Sequence, residues 1–153
     1  MNLLYPARFE PQPDGGFTVL FRDIPEAITE GDTLDEALLH AQEVLSMCLR
    51  GRIEDGQPIP LPTVTPENLA PAKPTKTKTK GITIRLVAPD AQAQSAALLR
   101  LARAGRPLSE LARALDTSWA AAQRLENPRH WPSLKQLDRA AKVLGRRLVL
   151  SFE

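Results

Sequence analysis

Side chains able to do covalent or metal chemistry are few in this sequence, and they are poorly arranged for it. Cys48 is the only cysteine, and His40 and His130 are the only histidines, far apart along the chain. A single cysteine excludes an internal disulfide and any zinc site built on several cysteines. Cys48 falls on the apolar face of a helical pattern and is read as a small core residue. Asp14, Asp23, Glu26 and Glu30 are of the right type for two-metal hydrolysis, which needs several carboxylates converging on ions about 4 Å apart. Most of them lie in turns and not at adjacent strand centres, and neither histidine has a nucleophile to activate. No catalytic residue, no metal and no cofactor is therefore expected.

What remains is recognition chemistry, and the charge distribution divides it in two. The net charge is +2, but residues 1–65 hold four Lys/Arg against 11 Asp/Glu, a net of −7, and residues 66–153 hold 16 against seven, a net of +9. Such asymmetry points to two units with different partners. An acidic unit suits a basic protein, and a basic unit suits nucleic acid.

The elements that must position these charges come next. The 153 residues suffice for one ordinary domain or two small ones, and 42% hydrophobic with 25% charged is near the soluble globular average. No apolar run approaches the ~18 residues of a membrane-spanning helix. The first ten residues lack the basic start and apolar core of a signal peptide. A cytoplasmic location without membrane association is expected. Residues 58–80 hold six prolines and a Thr-Lys alternation, which forbid a helix and mark residues 64–80 as a linker. Residues 1–63 and 81–153 are then the two units.

In the front unit, residues 3–9 read as a strand, placed at an edge because Pro6 cannot donate to a ladder. Asp14-Gly15-Gly16 is a hairpin signal. Phe17, Val19 and Phe21 alternate with Thr18, Leu20 and Arg22, as in a strand with one buried face. Residues 27–30 form a short third strand. Thr33 with Glu36 fits a capping box, and Leu34, Ala37, Leu38, Ala41, Leu45 and Cys48 follow at helical spacing. The result is a β-β-β-α unit. The back unit opens with an alternating strand at 82–86, then a helix capped by Asp90 and ended by Gly105. Residues 107–115 make a short helix, and Ser118 caps a third. Ser133 with Gln136 opens a fourth, stopped by Gly145. An apolar strand is expected at 148–152.

Two of these helices, 108–115 and 118–126, are separated by a short turn, which is a helix-turn-helix spacing. Ala112, Ala121 and Ala122 permit close approach, leaving the N-terminal end and outer face of the second helix free to enter a major groove. LSELARALDTSWAAAQRLENPRHWPSLKQLDRAAKVLG resembles the lambda-repressor/Cro (XRE) type of helix-turn-helix domain. The resemblance is carried by Leu111-Ala112, Leu115, Ser118, Ala122, Leu125-Glu126-Asn127, Leu134, Leu137, Ala141 and Leu144-Gly145. It implies that Ser118, Trp119, Ala120, Gln123 and Arg124 face DNA, with Arg124 able to make a bidentate contact to guanine. Arg129, Ser133 and Lys135 are candidate phosphate contacts. Trp119 and Ala120 depart from the polar residues common in that helix. Pro107 stands where a capping Ser or Thr is usual, and Asp116 where the turn often has Gly.

The front unit is similar to the N-terminal domain of HicB-type antitoxins. The matching pieces are Tyr5-Pro6, Asp14-Gly15-Gly16-Phe17, Phe21, Asp23-Ile24-Pro25, Ala27, Thr29, Gly31-Asp32-Thr33, Glu36-Ala37 and Ile59-Pro60. This resemblance implies a partial, non-catalytic RNase H-like fold. It also implies a partner, a small basic HicA-like mRNA interferase toxin whose active surface the antitoxin covers. Asp23, Glu26, Glu30 and Asp32 are the candidate toxin-binding residues. The combined expectation is an α+β protein: a toxin-binding domain (1–63), a linker (64–80), and a mostly helical domain (81–153) that binds operator DNA and autorepresses its operon. Strands 82–86 and 148–152 are expected to make it a homodimer, with a higher hetero-oligomer in the presence of toxin. Three other readings stay open. One is a ribbon-helix-helix DNA reader starting at 82–86, another is a stand-alone regulator with a small-molecule-sensing front unit, and the third is a divergent RNase H-like nuclease.

Overall fold

The computed structural model describes residues 1–63 and 81–152, so the linker assigned to residues 64–80 lies outside the described residues. The front unit is β1 (Tyr5–Pro11), β2 (Phe17–Phe21), β3 (Ile28–Gly31) and the long helix α1 (Leu34–Glu54). β1 and β2 join through a tight turn in which Gly15 and Gly16 take φ of +100° and +80°. Gly16 is doubly required, because a Cβ there would lie 2.8 Å from the Gly31 carbonyl oxygen. The strands are antiparallel, with Ala7 opposite Phe21 and Phe9 opposite Val19, and Val19 opposite Thr29. Tyr5, Ala7, Phe9, Val19 and Phe21 all point to one face and are buried beneath Ala37, Ala41, Leu45 and Leu49 of α1. At Gly31 strand and helix meet backbone to backbone: a Cβ would sit 2.5 Å from the Ala37 nitrogen.

The sheet has a fourth member that corrects the sequence reading. Strand β4 (Thr83–Val87) pairs antiparallel with β1, giving the order β3-β2-β1-β4. The strand expected to open the back unit therefore completes the front sheet, and β1 is interior, not an edge. Pro6 is tolerated because it is the second residue of β1, ahead of the β1–β2 register that begins at Ala7. A ribbon-helix-helix is also set aside, since β4 is taken up by β1 and four helices follow.

Those helices are α2 (Ala91–Arg103), α3 (Leu108–Ala114), α4 (Trp119–Leu125) and α5 (Leu134–Val143). Asp90 caps α2 by accepting from the Ala93 N–H at 2.8 Å. The α2 C-terminus ends in two left-handed residues, Ala104 and Gly105. Helix α2 belongs to both halves: Ala97 lies in the first core and Leu99 in the second, with Leu111, Ala112, Leu115, Ala122, Leu125 and Ala140. Its start is pinned to α1, where Asp90 pairs with Arg50 and its N–H donates to Ser46 Oγ at 2.8 Å. Further along, Arg100 donates to the Ile53 carbonyl at 3.1 Å. Residues 148–152 form no strand, and Val149 and Leu150 are largely exposed. A strand needs a neighbour to satisfy its backbone groups, and among the described residues none pairs with this segment.

Candidate nucleic-acid and protein interfaces

The α3–α4 pair is built by small and aliphatic side chains facing inward and by a turn that needs one unusual residue. Leu111, Ala112 and Leu115 pack on Ala122 and Leu125. Asp116 takes the left-handed φ of +52°, a conformation Asp tolerates better than most residues. The Thr117 N–H then donates to the Ala112 carbonyl at 2.9 Å. Ser118 caps α4 by accepting from the Ala121 N–H at 3.1 Å. Pro107 precedes α3 without a side-chain cap; its fixed φ suits that place.

With Ala122 and Leu125 inward, Ser118, Trp119, Ala120, Gln123 and Arg124 are all exposed. Trp119 is half exposed and is not absorbed into the helix junction. Lys135 is exposed at the start of α5. Ser133 is exposed too, but its hydroxyl is engaged in a complete capping box: it accepts from the Gln136 N–H at 3.1 Å, and its own N–H donates to Gln136 Oε1 at 2.8 Å. Arg129 is exposed but committed, since its Nε donates to Glu54 at the end of α1 at 2.6 Å. That carboxylate holds the guanidinium more firmly protonated than usual.

Two contacts that the sequence did not signal fix this unit. Arg103 on α2 grips Glu126 with both prongs of its guanidinium, at 2.7 and 3.0 Å. Arg139 on α5 donates to the Leu115 carbonyl at 3.0 Å, tying α5 to the turn before α4. Both join residues more than 20 positions apart, beyond the reach of helical periodicity.

The four acidic candidates of the front unit, Asp23, Glu26, Glu30 and Asp32, fall into two pairs with different surroundings. Asp23 accepts from the Thr63 N–H at 2.8 Å, and Glu26 forms a two-pronged ion pair with Arg52, at 2.5 and 3.0 Å. The Arg52 hydrogen bond pulls the Glu26 carboxyl below its usual pKa. Nearby, Tyr5 donates its hydroxyl to the Pro60 carbonyl at 2.8 Å, and burial, aided by Asp23, raises its pKa to about 12. Glu30 lies in β3 and Asp32 just after it, next to the α1 N-terminus. There Thr33 caps the helix, Glu36 accepts from the Asp32 N–H at 2.8 Å, and His40 Nδ1 meets the Glu30 carbonyl at 2.7 Å. That carbonyl, with Glu36, Glu43 and Asp32, raises the His40 pKa. Cys48 is partly buried against the first core, and burial raises its thiol pKa, as fits a packing residue. Among the described residues no three His, Cys, Asp or Glu side chains form a group that could hold a metal ion. Nor does any helix among them have the length and apolarity to cross a membrane.

An acidic α/β unit joined to a basic helical unit, each with exposed candidate contact residues, is the class of architecture that sequence and fold define. Known proteins narrow the class. Residues 4–70 match the family model described as "HicB_like antitoxin of bacterial toxin-antitoxin system". Over 149 residues the chain is 32% identical to Antitoxin HicB 2 of Photorhabdus laumondii, covering 97% of this chain and 96% of that one. Antitoxin HicB 1 of the same organism is 48% identical over 61 residues, which span 40% of this chain and only 39% of that protein. Among solved structures, the Burkholderia pseudomallei antitoxin HicB is similar at 26% identity and a TM-score of 0.48, covering 59% of this chain and 65% of that one. The chain belongs to the HicB antitoxin family, which is not a family of enzymes.

Proposed function

We propose that this chain is the antitoxin of a type II toxin–antitoxin pair that also represses its own operon. Residues 1–63, in a partial RNase H-like fold, sequester a HicA-like mRNA interferase by covering its active surface. The linker 64–80 leads to residues 81–153, which bind operator DNA through an XRE-type helix-turn-helix. The observation that carries the DNA half is the outward set Ser118, Trp119, Ala120, Gln123 and Arg124 on α4, in a region of net charge +9. Arg124 supplies base readout, Gln123 a second hydrogen-bonding group, and Lys135 phosphate contact. Arg129 reaches phosphate only by giving up Glu54, and Ser133 only by giving up its capping role.

The −7 of residues 1–65 suits a basic partner, speeding encounter and fixing partner choice. A homodimer suits a helix-turn-helix that reads two half-sites. The unpaired segment 148–152 is the element a second copy would complete, while β4 already serves the sheet. A cytoplasmic location follows from these partners. The test is a pull-down of the chain expressed from its native locus, with intact-mass detection, paired with a mobility-shift assay on its promoter DNA. A small basic protein in stable ratio and a promoter-specific shift are expected. Capture of no basic protein by the folded chain would refute the antitoxin half, and equal binding to unrelated DNA would refute the operator half.

A further inference from the structure

Helix α1 covers one face of the sheet, and the alternation that buries Tyr5, Ala7 and Phe9 beneath it turns their neighbours the other way. The register sets Ile28, Leu20, Arg8 and Ile84 side by side in one row across all four strands, with Pro6 opposite Leu86 in the next. A sheet face left to solvent is ordinarily polar. Here the outward rows are mostly apolar: Ile28 is 57% and Leu86 37% exposed, Leu20 and Ile84 are half-buried, and Pro6 is buried. Of the cations on this side, Arg8 is already paired with Glu10 at 2.8 Å, and Arg22 follows Leu20 on the same alternation at the end of β2. On the other side of the aliphatic row, Glu30 and Glu10 flank Thr18.

We propose that this outward sheet face is where the acidic unit receives a small basic protein, one that presents aliphatic side chains flanked by lysine or arginine. This rests on the antitoxin reading and names its surface. Complementary charge favours that occupant: Glu30 borders the apolar strip, Glu10 beside it offsets Arg8, and residues 1–65 carry −7. An apolar centre with a charged rim is the arrangement in which the centre supplies affinity and the rim supplies steering. The strands are held on their other face by α1, so the surface is rigid before the partner arrives, which lowers the cost of binding. The outer side of α1 also exposes Leu39 and Met47, but Glu43 stands between them in sequence and no continuous strip forms.

The experiment titrates the full chain with the basic partner purified from the pull-down, by calorimetry. Ile28→Lys and Leu86→Lys are each expected to weaken binding at least tenfold. Leu39→Lys and Met47→Lys are expected to stay within about threefold of the parent chain. Thermal unfolding of every variant checks that it folds. Ile28→Thr, which keeps the β-branched shape, is the milder companion and should still lose affinity. Unchanged binding by the folded Ile28 and Leu86 variants overturns the proposal while leaving the antitoxin reading intact, as does loss of binding confined to Leu39 and Met47. A change in the chain's own oligomeric mass with partner binding unchanged would assign the face to a second copy, and overturn it equally. Absence of any basic partner for the parent chain would instead overturn the antitoxin reading itself, and the proposal with it.

Discussion

Glu126→Leu probes what holds the candidate DNA-binding helix in place. Glu126 ends α4 and is 7% exposed; the Arg103 side chain that grips it is 17% exposed. The grip is two parallel N–H···O bonds, at 2.7 and 3.0 Å, the geometry in which arginine and carboxylate pair best. Removing one partner of a buried pair costs about 3–5 kcal/mol, because the survivor keeps a desolvated charge. Arg103 retains a bond to the Arg106 carbonyl and some access to water, so the cost falls to about 2–3 kcal/mol. That is roughly 30- to 150-fold in the folding equilibrium, and about 5–10 °C in Tm for a chain of this size. Urea denaturation followed by far-UV circular dichroism reads the loss directly. The sharper measurement is the double-mutant cycle with Arg103→Met. Removing both charges together leaves no unpaired survivor, so the double variant should lie within about 1 kcal/mol of the parent, more stable than Glu126→Leu alone. A loss below about 0.5 kcal/mol in Glu126→Leu, or a double variant that merely sums the two single losses, would refute this account of the pair.

Arg124→Ala should weaken operator binding by about 1–3 kcal/mol in a mobility-shift titration and leave capture of the basic partner unchanged; loss of both would break the assignment of separate surfaces. Gly31→Ala drives a methyl group to 2.5 Å from the Ala37 nitrogen and should cost about 2–3 kcal/mol, measured as a lowered Tm. Glu26 and Asp90 both have folded pKa values below their unfolded ones, Glu26 because of Arg52, and Asp90 because hydrogen bonds from Ala93 and Arg50 outweigh the opposing effect of burial. Their contribution is thus fully present above the unfolded carboxylate pKa of about 4 and lost as pH falls through the lower folded values. Tm should fall on acidification below about pH 4, and less so in Arg52→Met; an unchanged acid limb in that variant would count against the Glu26–Arg52 pair. Residues 1–63 expressed alone lack β4, and with it Val87 from the first core. They should unfold at a lower temperature than the full chain, and equal Tm values would show that β4 contributes nothing.

Most helix boundaries were legible because their signals are local. Thr33, Asp90, Ser118 and Ser133 each accept a hydrogen bond from the backbone three residues on, and that spacing is written in the sequence. The outward side of α4 was legible for the same reason, since Ala122 and Leu125 fix which positions face the core. Strand partnership was not. β4 has the alternation of a strand, but nothing in residues 82–86 says that Tyr5 will face Val87. Pro6 argued for an edge, yet it needs only one unpaired side: it lies opposite Leu86 of β4 and ahead of the β1–β2 register. The different surroundings of the acidic candidates were not legible either, for a related reason. Glu26 and Glu30 are close in sequence, yet Arg52 claims one, while the other flanks the open sheet face.

The two candidate surfaces sit on one frame, and the strength of the contacts between them limits how far one can influence the other. Arg129, a candidate phosphate contact, is bound to Glu54 of α1, but the two side chains are 71% and 38% exposed. An ion pair that open to water contributes no more than about 1 kcal/mol. A partner on the front unit that disturbed Glu54 could therefore change DNA affinity through this contact by about fivefold at most. Stronger coupling has to pass through α2, which packs Ala97 into one core and Leu99 into the other and is anchored at Asp90 by both Arg50 and Ser46. A helix whose buried side chains lock into two cores does not shift by degrees, because close-packed interiors resist small displacements. On the proposed function, communication between partner and operator would come in two strengths: a weak electrostatic one at Glu54–Arg129, and a strong one that requires α2 to move as a unit.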